Sequence, residues 1–278
     1  MHLIADSGST TTTWSITSAD NNGIYKTTGI NPFFLTQNEI SDLLKKELAS
    51  QIDTDSITKI FFYGAGCSSE KRCEVVRQGI KEVFKNTEEI TVDHDLLGAA
   101  RALCQHEAGI ATILGTGSNS CYYDGKEVIE NVPALGFIMG DEGSGAYMGK
   151  KLIRAHIYKE LPTELSERFD LKYKLDKNEI LDTVYKQPHP NRFLASFSRF
   201  LSENIEHKFI SELVYECFNE FIISQVLKYD LATSLKMNSV GSIAFTFSGI
   251  LEQAVRDNGI EMGIIVQDPI QKLIEFHS

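Results

Sequence analysis

The chain has 278 residues, 42% hydrophobic and 23% charged, which is ordinary globular usage and excludes a broadly disordered protein. Its formal net charge of −11, with Lys and Arg scattered, excludes the basic footprint of a nucleic-acid binder. Five widely spaced cysteines outside any metal pattern exclude a disulfide framework or zinc site, and no stretch reaches about 18 apolar residues. With no basic segment and apolar core at the start, a cytoplasmic protein that engages no membrane is expected.

At roughly 100–200 residues per domain, two modest domains are expected, with one still open. Residues 3–5 form a short apolar strand that meets the turn cluster Asp6-Ser-Gly-Ser-Thr10, and residues 11–16, rich in β-branched side chains, form the strand going out. Asn21-Asn22-Gly23 marks the next turn and residues 24–28 a third antiparallel strand. Ile40, Leu43, Leu44 and Leu48 have helical spacing, and residues 57–63 read as an apolar strand ending at Gly64-Ala65-Gly66, which on its own reads as a turn. A helix over 69–84 with Ser69 as cap, a strand over 90–92 and a helix over 95–105 complete an alternation typical of a mainly parallel sheet.

The pattern then starts again. Residues 110–114 form an apolar strand meeting Gly115-Thr-Gly-Ser-Asn119, followed by a strand over 120–123 and an Asp124-Gly125 turn. Gly115 lies 109 positions after Asp6 (115 − 6), and the recurrence of strand, Gly/Ser/Thr turn and strand implies two like-folded halves. Helical spacing dominates from 144 to about 235, with helices over 144–158, 178–185, 192–206 and 210–229 and a break at Pro188-His189-Pro190. A strand over 240–247 and a helix over 250–257 follow. The expected domains are 1–107 and 108–266, the second carrying a helical insertion over about 150–235, while the C-terminal segment 267–278 could return to the first.

Two hairpin tips rich in Gly, Ser and Thr can present backbone N–H groups and hydroxyls to a polyphosphate without many basic side chains, which suits an acidic protein. Asp6, at the end of the first strand, is the residue type a hydrated Mg²⁺ prefers, and Thr10 and Thr116 could reach phosphate oxygens. Each tip alone also reads as an ordinary hairpin turn, and a lone Asp after a strand as a turn residue. A carboxylate at the first turn of a helix, as Asp95 is expected to be, is kept ionised by the helix dipole and suits a general base, although Asp93 or Asp95 could simply cap the helix. His94 reads as a packed residue at the helix start.

Four motifs occur together in a telling order: Asp6-Ser-Gly-Ser-Thr10, Gly115-Thr-Gly-Ser-Asn119, Gly140-Asp-Glu-Gly-Ser144 and Val240-Gly-Ser-Ile-Ala244. Over residues 3–249 the chain resembles the N-acetylglucosamine kinases and the related 2-hydroxyacyl-CoA dehydratase activator ATPases of the actin/hexokinase/Hsp70 superfamily. The resemblance implies an α/β fold of two ribonuclease H-like, actin-like ATPase domains around a central cleft, with the helical insertion in the second domain. It implies that ATP is bound by Gly8, Ser9, Thr10, Thr11, Gly115, Thr116 and Gly117, with Gly241 and Ser242 near the adenosine, and that Asp6 holds Mg. The stretch His94-Asp95-Leu-Leu-Gly98-Ala99 matches the family's Asp-x-x-Gly-Ala pattern, which makes Asp95 the catalytic base. Asn31, Ser118, Asn119 and Asp141, with Leu135 and Gly136 closing on the ring, carry over as sugar-binding positions alongside Asp95. Where mammalian-type relatives have an aromatic residue in the loop, this chain has Ala134-Leu135-Gly136-Phe137, a departure that, on the resemblance, implies a different acyl pocket.

The expected activity is therefore ATP-dependent phosphorylation of the 6-hydroxyl of N-acetylglucosamine or a relative such as N-acetylmuramic acid. The partner is a small-molecule sugar; the oligomer is not fixed, a homodimer being one form it could take. The alternatives are a dehydratase activator, against which the Gly115-Thr-Gly-Ser-Asn119 stretch and the scattered cysteines speak, and a sugar- or ATP-binding regulator without turnover.

Overall fold

Alternation along the first strand sets the first unit of the protein. The computed structural model describes residues 1–8, 10–17 and 23–278, and the chain divides into a unit of residues 1–107, 125–127 and 268–278 and a unit of residues 108–124 and 128–267. The first contains β1 (His2–Ser7), β2 (Thr11–Thr17), β3 (Ile24–Thr28), α1 (Gln37–Glu47), β4 (Lys59–Gly64), α2 (Glu70–Lys81), β5 (Glu89–His94) and α3 (Asp95–Cys104), and ends in a C-terminal helix, Ile270–Phe276. Its sheet has the order β3-β2-β1-β4-β5, with β1, β2 and β3 antiparallel and β1, β4 and β5 parallel.

Leu3 and Ala5 join Trp14, Ile60 and Phe62 in the core under α1 and α2, whereas Ile4 joins Tyr63, Ala102 and Leu273 under α3 and the C-terminal helix. Each such fully buried large side chain contributes about 1.5–3 kcal/mol. Because side chains alternate across a strand, Asp6 shares the Ile4 face and Ser7 the Leu3 face. Helix α1 starts at a capping box, the Thr36 hydroxyl taking the Glu39 N–H and the Glu39 carboxylate the Thr36 N–H. The C-terminal helix is latched by Tyr63, whose hydroxyl accepts from Arg101 at 2.7 Å and lies 2.9 Å from His277 Nε2, with the His277 ring stacked 3.8 Å from Phe61.

The second unit contains β6 (Gly109–Leu114), β7 (Ser118–Tyr123), β8 (Val128–Glu130), α4 (Gly136–Met139), α5 (Gly145–Ile157), α6 (Thr163–Tyr173), α7 (Lys177–Lys186), α8 (Pro190–Ser196), α9 (Ser198–Glu203), α10 (Lys208–Ser224), β9 (Lys236–Val240), α11 (Ser242–Thr246), α12 (Ser248–Asp257) and β10 (Glu261–Val266). Its sheet order, β10-β9-β6-β7-β8, is the first sheet again: an antiparallel β6-β7-β8 meander beside parallel β6, β9 and β10. The internal repeat read from the turns is thus a repeat of topology. Where the first copy places α1 and a short 3-10 turn, Thr54–Ser56, between its third and fourth strands, the second places the run from α4 to α10.

Two readings are corrected. The expected strand over 240–247 is the end of β9 followed by α11, because Gly241 takes φ +127°, a conformation in which the strand cannot continue. The expected helix over 192–206 is two helices, α8 and α9, broken at Phe197. Strand β10, short β8 and helices α4 and α6 had no counterpart in the sequence reading. The Asn21-Asn22 half of the first expected turn lies outside the described residues. Among the described residues, no helix is long and apolar enough to cross a membrane.

Candidate functional site

In the first unit, parallel pairing puts the ends of β1, β4 and β5 level: Asp6 opposes Tyr63, and Tyr63 opposes Asp93. One residue after β5, Asp95 opens α3. Asp6 is only partly exposed, and its carboxyl is pushed up to about 7, first by burial and then by the negative charges of Asp268 and Asp95. Three carboxylates therefore share one end of this sheet. Asp268 was not singled out in the sequence; it precedes Pro269 and accepts from the Ile270 N–H at 2.9 Å, so the start of the C-terminal helix fixes its position. An Asp-Pro pair opening a helix was the available signal.

The helix-dipole argument for Asp95 is reversed in sign. Burial raises its carboxyl above 3.8 and outweighs the lowering effects of His94 and the Leu96 N–H, which donates to Asp95 Oδ1 at 2.9 Å. Nor is Asp95 or Asp93 the cap: His94 Nδ1 accepts the Leu97 N–H at 3.1 Å. Acceptance at Nδ1 places the proton of a neutral His94 on Nε2.

The first tip begins with the Gly8 N–H donating to the Thr11 carbonyl at 3.0 Å, and the Thr10 carbonyl accepts from Gly29 at 2.9 Å. Gly8, Thr10 and Thr11 are exposed, and Ser9 lies outside the described residues. Beneath the tip, Ser7 Oγ lies 2.7 Å from Thr12 Oγ1 and donates to the Ile30 carbonyl at 3.1 Å, while the Ile30 N–H donates back to Ser7 Oγ at 3.1 Å. This clasp holds the peptide leading into buried Asn31, whose Oδ1 accepts from Phe33 N–H at 2.9 Å. Gly66, taken from the sequence as a turn residue, has φ +84°, and a Cβ there would lie 2.2 Å from Asn31 Oδ1, so the loop after β4 is shaped around Asn31. Neighbouring Cys67 is buried, with its thiol pushed up to about 12 by burial and then by nearby groups that include Asp95. It is a packing residue beside the site and no nucleophile.

In the second unit, the tip between β6 and β7 is tied to the start of α5: the Gly145 and Ala146 N–H groups donate to the Gly115 and Thr116 carbonyls at 2.9 and 3.1 Å. The carbonyls face the helix, and the Thr116 and Gly117 N–H groups have no backbone partner among the described residues. Such an arrangement suits an anion. Gly140-Asp-Glu-Gly-Ser144 is the turn that caps α5, with Ser144 Oγ accepting from Tyr147 N–H at 3.1 Å. It also holds Asp141 at φ +59°, uncommon for a residue other than glycine, against the tip: a Cβ on Gly117 would lie 2.9 Å from Asp141 Oδ2. Burial raises the Asp141 carboxyl, against the lowering effect of the Ser118 N–H. Ser118 Oγ is buried without a hydrogen-bond partner among the described residues. Asn119 Oδ1 accepts from Ser120 N–H and Asn131 Nδ2 at 2.9 and 3.0 Å, so this oxygen is already engaged. Leu135, exposed, precedes α4, whose first residue Gly136 lies five positions before Asp141 (141 − 136).

Gly241 completes this group, since a Cβ there would lie 2.3 Å from the Leu114 carbonyl oxygen and 3.3 Å from Gly115 N. Gly241→Ala is expected to cost about 2–3 kcal/mol from the positive φ and the clash; the denaturation midpoint of the purified variant checks this. Exposed Ser242 borders a cavity of about 230 Å³ whose walls include Ser198, Arg199 and Ser202 of α9. The second unit thus brings Gly115, Thr116, Gly117, Ser118, Asp141 and Gly241 together, and the first brings Asp6 and Asp95 together. No group of three or more His, Cys, Asp or Glu side chains forms a ready metal cage among the described residues.

No protein-family model matches the chain, and no functionally curated protein does. Among solved structures, a Porphyromonas gingivalis protein provisionally named an N-acetylglucosamine kinase is 40% identical, with 100% of this chain and 98% of that chain covered and a TM-score of 0.95. A Chromobacterium violaceum protein with the same provisional name is 14% identical, with the same coverages and a TM-score of 0.74. A ROK-family glucokinase from Streptomyces griseus, solved with glucose and AMPPNP, is 14% identical, with 99% and 97% covered and a TM-score of 0.58.

Proposed function

The chain belongs to the N-acetylglucosamine kinase family, sugar kinases of the actin/hexokinase ATPase fold, and on that premise we propose that it transfers the γ-phosphoryl group of ATP to the 6-hydroxyl of N-acetylglucosamine or a close N-acetylated relative such as N-acetylmuramic acid, with Asp95 as base. The observation that carries the base assignment is that Asp95 opens α3 while His94 takes the capping role, and that burial raises the proton affinity of the Asp95 carboxylate. A carboxylate whose proton affinity is raised accepts a hydroxyl proton more readily. Asn31, Ser118, Asn119 and Asp141 bind sugar hydroxyls; the buried, unpartnered Ser118 Oγ supports this for its own position, since a ligand oxygen would satisfy it. The Thr116 and Gly117 N–H groups and the Thr10 hydroxyl orient phosphate oxygens, and the cavity beside Ser242 takes the adenosine.

Asp6 fits a divalent cation by its donor chemistry, a carboxylate made costly to ionise first by burial and then by the charges of Asp268 and Asp95, and Asp6 with Asp268 would hold Mg²⁺. When bound, the ion would neutralise charge on the β- and γ-phosphates. All five cysteines are buried, which counts against an activator that bridges an iron–sulfur cluster through surface thiolates.

ADP release with Mg²⁺-ATP across N-acetylglucosamine, N-acetylmannosamine, N-acetylmuramic acid, glucosamine and glucose tests the reading. An N-acetylated sugar is expected to exceed its parent amine by roughly 10²-fold in kcat/KM. ADP release indifferent to every sugar would overturn it.

A further inference from the structure

The second unit carries a cavity of about 570 Å³ that the phosphotransfer reading does not use. Its floor is apolar, built from Ile153 and Ile157 of α5, Ile180 and Val184 of α7 and Leu194 of α8. Phe137 and Ile138 of α4 form one wall, and Ile138 and Tyr185 are 75% and 80% exposed at the mouth. The size falls within the range of small-molecule sites.

Its charge is the opposite of the protein's. In a chain of net charge −11, the charged residues lining this cavity are Lys150, Arg154 and Lys177, with no carboxylate among the lining residues. None of the three forms an ion pair among the described residues. Lys150 Nζ donates to the Phe137 carbonyl at 3.2 Å, which leaves two further N–H donors. The nearby α7 carboxylates are spent elsewhere: Glu179 accepts from the Asp176 N–H at 2.8 Å, and Asp182 pairs with Lys186 at 2.7 Å. Asp176, before α7, is held by the Asn178 and Glu179 N–H groups at 2.7 and 2.9 Å.

We propose that this cavity between α4, α5, α7 and α8 binds a small amphipathic anion, its apolar body on the Ile153–Ile180–Val184 floor and its carboxylate or phosphate head on Lys150, Arg154 and Lys177. A second copy of the chain seated there by a two-fold axis would set these cations against themselves, so the charge favours a small anion over self-association. The occupant would rest on α4, which connects Leu135 to the Asp141 turn.

Calorimetric titration of the full chain with decyl phosphate, below its micelle concentration and without ATP or sugar, tests this independently of the kinase reading. Saturable one-site binding is expected. The double variant Arg154→Glu/Lys177→Glu, two exposed positions, should weaken it roughly 10- to 100-fold through loss of charge-assisted contacts, with an unchanged thermal midpoint. Val184→Trp, which fills the floor, should weaken it as well. Neutral decyl maltoside binding as tightly as decyl phosphate, or affinity that both variants leave intact, would overturn the proposal. So would a dimer that Arg154→Glu/Lys177→Glu dissociates in a protein that does not take up decyl phosphate.

Discussion

Asp95→Asn is expected to lower kcat for the N-acetylated substrate by about 10²–10⁴-fold, the usual contribution of a positioned general base, with a much smaller change in the sugar KM. The fold should survive, because His94 caps α3 and an Asn Oδ1 can still accept the Leu96 N–H. Removing a carboxylate whose proton affinity burial raises should leave stability equal or higher at neutral pH, since the folded state then no longer carries that charge. The pH dependence supplies a second readout. A base must be deprotonated, so kcat/KM of the parent enzyme should fall as pH drops through the raised pKa of Asp95, above the ordinary aspartate value of 3.8. That acid limb should be missing from the residual activity of Asp95→Asn. A variant that keeps full sugar-dependent ADP release would remove Asp95 from the chemistry.

Features of the molecule that repeat locally were legible from sequence, and those that depend on distant partners were not. The tips at Gly8 and Gly115 were readable because small and polar residues between apolar strands have few other uses, and their spacing implied the second sheet before any contact was known. Strand β9 was misplaced because its centre is polar: Asn238 and Ser239 are buried, Ser239 Oγ lying 2.6 Å from Thr112 Oγ1 and Asn238 Oδ1 accepting from Ile264 N–H at 2.9 Å. Hydrophobic periodicity cannot register a strand whose inward residues are satisfied by a neighbouring strand. β10 escaped for a related reason, since Gly263 sits mid-strand where a Cβ would lie 2.1 Å from Asn238 Oδ1. His94 is an uncommon cap, so residue preference pointed to its acidic neighbours instead. The proton affinities of Asp6 and Asp95 were beyond reach in the sequence, because both arise from burial and that of Asp6 also from Asp268, 262 positions after it (268 − 6).

Asp6→Asn should separate stability from function, because the same carboxylate is costly to the folded protein and useful to a cation. A carboxyl raised from 3.8 to about 7 binds its proton more tightly in the folded state than in the unfolded one. Between those two values the folded state holds the extra proton, so its stability falls as pH rises across this window, and the full cost is present above about pH 7. That cost is on the order of 2–4 kcal/mol, with burial the largest cause and Asp268 and Asp95 adding to it. The Asn variant should therefore unfold at a higher denaturant concentration than the parent at pH 8, with the difference shrinking to nothing near pH 4. Mg²⁺ should stabilise the parent at pH 8, less at pH 5 where the proton competes, and should have little effect on the variant at either pH. Sugar-dependent ADP release should drop by at least about 10²-fold in the variant, since charge on the transferring phosphoryl group is then poorly compensated. A variant less stable than the parent at pH 8 would show that Asp6 is held by favourable contacts and not by burial against its charge. One that keeps its Mg²⁺-dependent activity would assign the cation to other oxygens.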